Sequence, residues 1–141
     1  MGFYKKIDKL AYWFRYQATY LEMAYYLKQV LNGKVNSYIK AVSETHRGIG
    51  KTTALARLSA QYNIPIIVST CAEANYIEKY IPQYFPKYFK KHKPKAIKLS
   101  LLGKDDKKYK IVLIDIELDD IKLEKIDYLS RGTIVGYKHE Y

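Results

Sequence analysis

Residues 38–53 read YIKAVSETHRGIGKTT. Tyr38, Ile39, Ala41 and Val42 make a short apolar run of strand type, and the chain then turns through Gly48, Ile49, Gly50, Lys51 and Thr52 into a helix-forming segment. Strand, glycine-bearing turn and helix in this order are what a phosphate-binding loop requires. Glycine admits φ values closed to other residues, so successive backbone N–H groups can turn inward around phosphate oxygens. Lys51 would then reach the β and γ phosphates of a nucleoside triphosphate and Thr52 would offer its hydroxyl to Mg²⁺, while the helix points its positive end at the anion. The residues expected against the nucleotide are Thr45, His46, Gly48, Ile49, Gly50, Lys51, Thr52 and Thr53, with Lys51 exposed until phosphate arrives.

The usual spacing is Gly, four variable residues, Gly, Lys and Ser or Thr, which places the first glycine at position 45, where this chain has Thr45. Threonine turns less freely than glycine, so the departure bears on the first turn of the loop; Gly50, Lys51 and Thr52 keep the chemistry. The wording Arg47-Gly48-Ile49-Gly50-Lys51-Thr52-Thr53 resembles the P-loop NTPases, most of all the additional-strand ATPases of phage terminase large subunits. The resemblance spans about residues 36–137 and is specific at the loop. It implies ATP and Mg²⁺ as ligands, hydrolysis of ATP, and a catalytic arginine: Arg47 from the loop, or Arg131 from a neighbouring copy in a homo-oligomer.

A length of 141 residues fits one domain, read as a helical extension over 1–35 and a nucleotide-binding core over 36–141. A single cysteine, Cys71, excludes an intrachain disulfide framework, and His46, His92 and His139 are too scattered for a zinc site. The first thirty residues lack a continuous apolar run, so neither a signal peptide nor a membrane span is expected, and the expected location is the cytoplasm, that of the host for a phage-encoded chain. The net charge of +11, from 25 basic against 14 acidic residues, is the footprint of a nucleic-acid binder. A competing cause is the codon usage of an AT-rich genome, since lysine outnumbers arginine 21 to 4.

Outward from the loop, residues 7–31 read as one amphipathic helix with Ile7, Leu10, Ala11, Phe14, Ala18, Leu21 and Tyr25 on its apolar face and Gly33 as its stop. Its aromatic excess, Trp13, Phe14, Tyr16, Tyr20, Tyr25 and Tyr26, is read as core packing, with stacking on bases as the alternative. A strand over 37–43 precedes the loop, and a helix over 51–62 follows it, turning Leu55 and Leu58 to the sheet and ending at Asn63. Residues 64–69 suit a buried parallel strand with Pro65 at its start, and 72–81 a helix that Pro82 and Pro86 end. Residues 96–101 and 109–116, separated by GKDDKK, suit a hairpin; a helix over 119–129 and a strand over 133–137 complete the chain.

Two further segments carry chemistry. In YFPKYFKKHKPK, residues 84–95, Lys87, Lys90, Lys91, Lys93 and Lys95 alternate with aromatics and no carboxylate intervenes. Such a segment can neutralise the phosphates of DNA or RNA and stack on unpaired bases, or it can be a solvated loop with a few anchoring rings. Ile111–Ile114 run apolar and end on Asp115, at the strand terminus where ligands of open α/β sheets bind. Asp115 resembles the Walker B aspartate that holds Mg²⁺ through water. The water-orienting glutamate of terminase-like ATPases usually follows at once; here Ile116 intervenes, and Glu117 falls on the same strand face as Asp115. Asp119 and Asp120 read as N-terminal charges of the next helix.

These readings converge on a three-layer α/β sandwich with a largely parallel sheet of four or five strands. The matching function is Mg-dependent ATP binding and hydrolysis with nucleic acid as partner, Lys51, Glu117 and Arg47 being catalytic and Thr52 and Asp115 holding the metal. The alternative is a P-loop regulatory protein that senses nucleotide and contacts a partner without turnover. A small-molecule kinase lacks support, because no arginine-rich lid is present.

Overall fold

The computed structural model describes residues 2–42, 50–101, 111–116 and 133–139. The expectation of an α/β fold is met by five strands in one sheet: β1 (Tyr38–Val42), β2 (Ile66–Val68), β3 (Ala96–Lys98), β4 (Val112–Ile116) and β5 (Ile134–His139). Their order is β1-β5-β4-β2-β3, and every pairing is parallel. Successive residues of a strand face opposite sides of a sheet, and Ile66, Ile67, Val68, Val112, Leu113 and Ile114 are all buried, so both faces of the sheet centre are covered, consistent with a three-layer sandwich.

The expected hairpin does not form. β3 pairs with one side of β2, Ile66↔Ala96 through Val68↔Lys98, while β4 pairs with the other, Ile66↔Leu113 and Ile67↔Ile114. The wholly apolar β2 takes the interior place, and the half-buried β3, of equal length, is left at the edge, where Glu78 accepts a hydrogen bond from Ala96 N at 2.9 Å. On the other flank Gly136 of β5 has φ +151, and a Cβ there would stand 2.1 Å from Ile114 O, so only glycine lets β4 and β5 pair at this level.

Helix α1 (Gly2–Leu31) ends, as expected, at Gly33, whose φ is +74. It buries Tyr16, Thr19, Met23, Leu27 and Val30, whereas the face expected to be apolar is solvent-facing, from 47% exposure at Ile7 to 63% at Leu21. Both stripes have helical spacing, so periodicity cannot choose between them. Polar partners decide: Tyr20 donates to Gln61 Oε1 at 2.8 Å, Arg57 donates to the Tyr16 hydroxyl at 3.4 Å, and Glu22 accepts from Lys40 Nζ at 2.9 Å and from the Tyr38 hydroxyl at 3.1 Å. Those partners exist only if the 16-19-23-27-30 stripe faces inward. Met23, Leu27 and Val30 join Leu55 and Leu58 and the strands in one core, where each fully buried Leu contributes about 1.5–3 kcal/mol.

Helix α2 spans Lys51–Tyr62 and closes at Asn63, which has φ 55, as the sequence led us to expect. Helix α3 (Cys71–Asn75) is capped by Thr70, whose Oγ1 accepts from Glu73 N at 3.1 Å, while Glu73 Oε2 reaches one residue farther back and accepts from Ser69 N at 3.3 Å. The helical path does not stop at Pro82 as expected. A π-helical turn over Tyr76–Tyr80, with Ile81 N–H bonded to Tyr76 O, precedes α4 (Ile81–Tyr84), and Pro82 falls in the first turn of α4, where its missing donor costs little. A 3₁₀ turn, Pro86–Tyr88, follows.

Candidate functional site

The site begins at the junction of loop and helix. Gly50 is the N-cap of α2 in the left-handed conformation, φ 78 and ψ 27, and its carbonyl accepts from Ala54 N at 3.0 Å. Having no side chain, it cannot cap the helix, and no acidic residue occupies the first turn to offset the positive helix end. Lys51 is the first helical residue and only 8% exposed, so the expectation of an exposed lysine is corrected: its position in α2 draws its stem inward. Neither Lys51 nor Thr52 is without a partner, and Thr53 is buried. A buried cation at the positive end of a helix is a place where a bound anion gains on two counts.

Because all strands are parallel, their C-terminal ends share one edge of the sheet. Val42, from which the chain enters the loop, is level with His139, and Asp115 is level with Tyr137, itself level with Lys40. One strand separates β1 from β4, so the backbones of Asp115 and Lys40 are roughly 10 Å apart, two strand spacings. Thr52 and Asp115 carry hard oxygen donors of the kind Mg²⁺ takes; Thr52 is in the first turn of α2, and Asp115 is the residue before the C-terminal end of β4. Among the described residues no group of three His, Cys, Asp or Glu could hold a metal by itself. Thr45, His46, Arg47, Gly48, Ile49, Glu117 and Arg131 lie outside the described residues.

Beside this junction is a cluster that sequence reasoning missed. The Tyr16 ring lies against Gly50, and the Arg57 guanidinium of α2 sits over two rings, 4.0 Å from the Tyr20 centroid and 4.3 Å from that of Tyr88. Burial pushes the Tyr16 hydroxyl above its ordinary pKa, against the opposing pull of Arg57. The signal available was Arg57 itself, one of four arginines, in the helix that Lys51 opens.

The lysines of the 84–95 segment are all exposed, whereas Phe89 and Pro94 are buried and anchor the segment. Lys87, Lys90 and Lys91 border one cavity of about 310 Å³, and Lys90 and Lys93 border another of about 530 Å³. Lys95 borders neither of these cavities; its backbone N–H donates to Ser59 Oγ at 3.1 Å, tying the segment to α2. Lys87, Lys90, Lys91 and Lys93 form no ion pair with a described residue.

No protein-family model, curated protein or solved structure matches the chain. Among the described residues no helix is long and apolar enough to cross a membrane.

Proposed function

We propose that the chain binds Mg-ATP at the N-terminus of α2 and hydrolyses it, acting with DNA or RNA in the manner of the phage DNA-packaging-type ATPases that its loop resembles. The observation that carries this reading is the junction at Gly50: a parallel strand leads to a left-handed glycine, and the next residue is a buried lysine opening a helix with no acidic first turn. Strand order adds support, since β5 stands between the loop strand and the strand bearing Asp115, as the term additional-strand implies.

In this reading Lys51 draws the β and γ phosphate oxygens to the helix end, where low exposure strengthens its charge. Thr52 and Asp115 would hold Mg²⁺, which when bound neutralises charge on the phosphates. Glu117 orients the attacking water, and Arg47, or Arg131 from a second copy, stabilises the charge that spreads over the transferred group. One observation favours a non-hydrolysing nucleotide sensor instead: Ile116 separates Asp115 from Glu117. Phosphate release from Mg-ATP, with and without single-stranded DNA, tests both. DNA-stimulated turnover supports the ATPase, binding without turnover supports the sensor, and absence of ATP binding removes both.

A further inference from the structure

Two cavities meet at Tyr88. One, of about 470 Å³, is walled by Tyr12, Trp13 and Tyr16 of α1 and by Phe85 and Tyr88, with Asp8 and Lys9 completing it. The other, of about 310 Å³, is bordered by Lys87, Lys90, Lys91 and His92 and by Gln61 near the far end of α2. We propose that together they bind single-stranded nucleic acid, an unpaired base entering the aromatic cavity while its backbone phosphate rests among Lys87, Lys90 and Lys91. The proposal deepens the nucleic-acid half of the function given above and rests on it.

Both volumes fall in the roughly 300–1,000 Å³ range of small-ligand sites. Aromatic walls match the π-face of a base, which only an unpaired base presents, and stacking of this kind is tolerant of sequence. Charge sets the polarity of binding: Asp8 and Lys9 leave the aromatic cavity with no net formal charge, whereas three lysines without ion pairs among the described residues favour phosphate next door. The shared wall is held in place. Tyr88 lies under the Arg57 guanidinium, and Arg57 also bonds Tyr16 and covers Tyr20, so the platform is ordered before a ligand arrives.

The basic cavity is distinct from the triphosphate site. Gln61 is ten residues beyond Lys51 in the same helix, which is roughly 15 Å along its axis. Arg57 lies between them, so one rigid helix carries the phosphate loop at its start and the support of the strand platform farther along.

Trp13 is the only tryptophan of the chain, lines the aromatic cavity and is 48% exposed, so its fluorescence reports occupancy directly. Titration with an oligodeoxythymidylate of about 15 nucleotides, in the absence of ATP, should quench it saturably, whereas a duplex of that length should not. Tyr88→Ala should weaken the oligonucleotide about tenfold or more, and Phe85→Leu provides a second, milder variant if the first fails to fold. The triple change K87Q/K90Q/K91Q should reduce the log–log salt slope by about 2, while K5Q/K6Q/K34Q should leave it close to wild type. The proposal is overturned by no quenching, by equal quenching with duplex, by equal effects of the two lysine sets, or by quenching with ATP alone that competes with the oligonucleotide; that last result would make the cavity the base pocket of the triphosphate. The readout uses neither ATP nor turnover, so a chain that fails to release phosphate yet binds the oligonucleotide refutes the ATPase and leaves the strand site standing.

Discussion

The ring of Tyr16 on α1 packs so closely on Gly50 that a Cβ built at Gly50 would stand 3.0 Å from Tyr16 Cδ2 and 3.1 Å from its Cβ. The N-terminal helix and the start of α2 therefore share one contact, and a change in either is felt by the other.

Gly50→Ala meets both this ring and the strain of φ +78, and should lower stability by about 1–2 kcal/mol in urea denaturation. Adding Tyr16→Ala should not restore the lost stability, because the backbone strain remains. A Gly50→Ala chain with wild-type stability and wild-type ATP affinity would show that the left-handed cap is dispensable.

Lys51→Ala should keep the helical circular dichroism, since alanine is a strong helix former, and lose ATP binding measured by calorimetry. Unchanged affinity and turnover in this variant would refute the phosphate-loop reading.

Asp115→Asn and Glu117→Gln should separate two steps. The first should weaken binding of Mg-ATP, with little change in metal-free nucleotide binding, and the second should retain binding while cutting turnover about 100-fold or more. Equal and negligible effects on both steps would place the metal partner elsewhere.

The orientation of α1 is open to a stability test. Leu27 is fully buried and Leu21 is 63% exposed, so Leu27→Ala should cost about 2–5 kcal/mol and Leu21→Ala about 0.5 kcal/mol or less. The reverse order in chemical denaturation would turn the helix over.

Burial, joined by the hydrogen bond and charge of Glu22, pushes the Tyr38 hydroxyl from 10.0 up to about 12. The unfolded chain ionises first, so this contribution is complete below pH 10, declines as pH rises from there and is gone above about 12. Stability measured from pH 9 to 11.5 should fall less steeply for Tyr38→Phe than for wild type; identical slopes would show that folding does not raise the Tyr38 hydroxyl.

Local signals in the sequence located most elements. Asn63 marked the end of α2, the apolar runs at 64–69 and 111–114 marked β2 and β4, and Gly50 with Lys51 marked the start of α2. Long-range choices were not legible. Whether Ala96–Lys98 pairs with β4 or β2 depends on which strand is central, and two strands near each other in sequence look like a hairpin until a third comes between them. Which stripe of α1 faces inward depended on Gln61, Arg57, Lys40 and Tyr38, residues distant in sequence. Within the candidate site, Lys51 and Asp115 could be placed by spacing, but the gathering of Trp13, Tyr16, Arg57 and Tyr88 joins three separate segments and leaves no spacing to read.

In the described sheet β1 pairs only with β5, and Ser37 Oγ receives its hydrogen bond from Ile134 N across 97 residues. Strand β1 thus has no strand neighbour until β5 has been made, although α1, through Glu22, is already beside it. At about 5–20 residues per second, the ribosome needs roughly 5–20 s to supply that neighbour. A nascent chain halted before Ile134 would leave β1 without a strand to pair with, so on the function proposed above the ATP site would be completed only after β5 has been made.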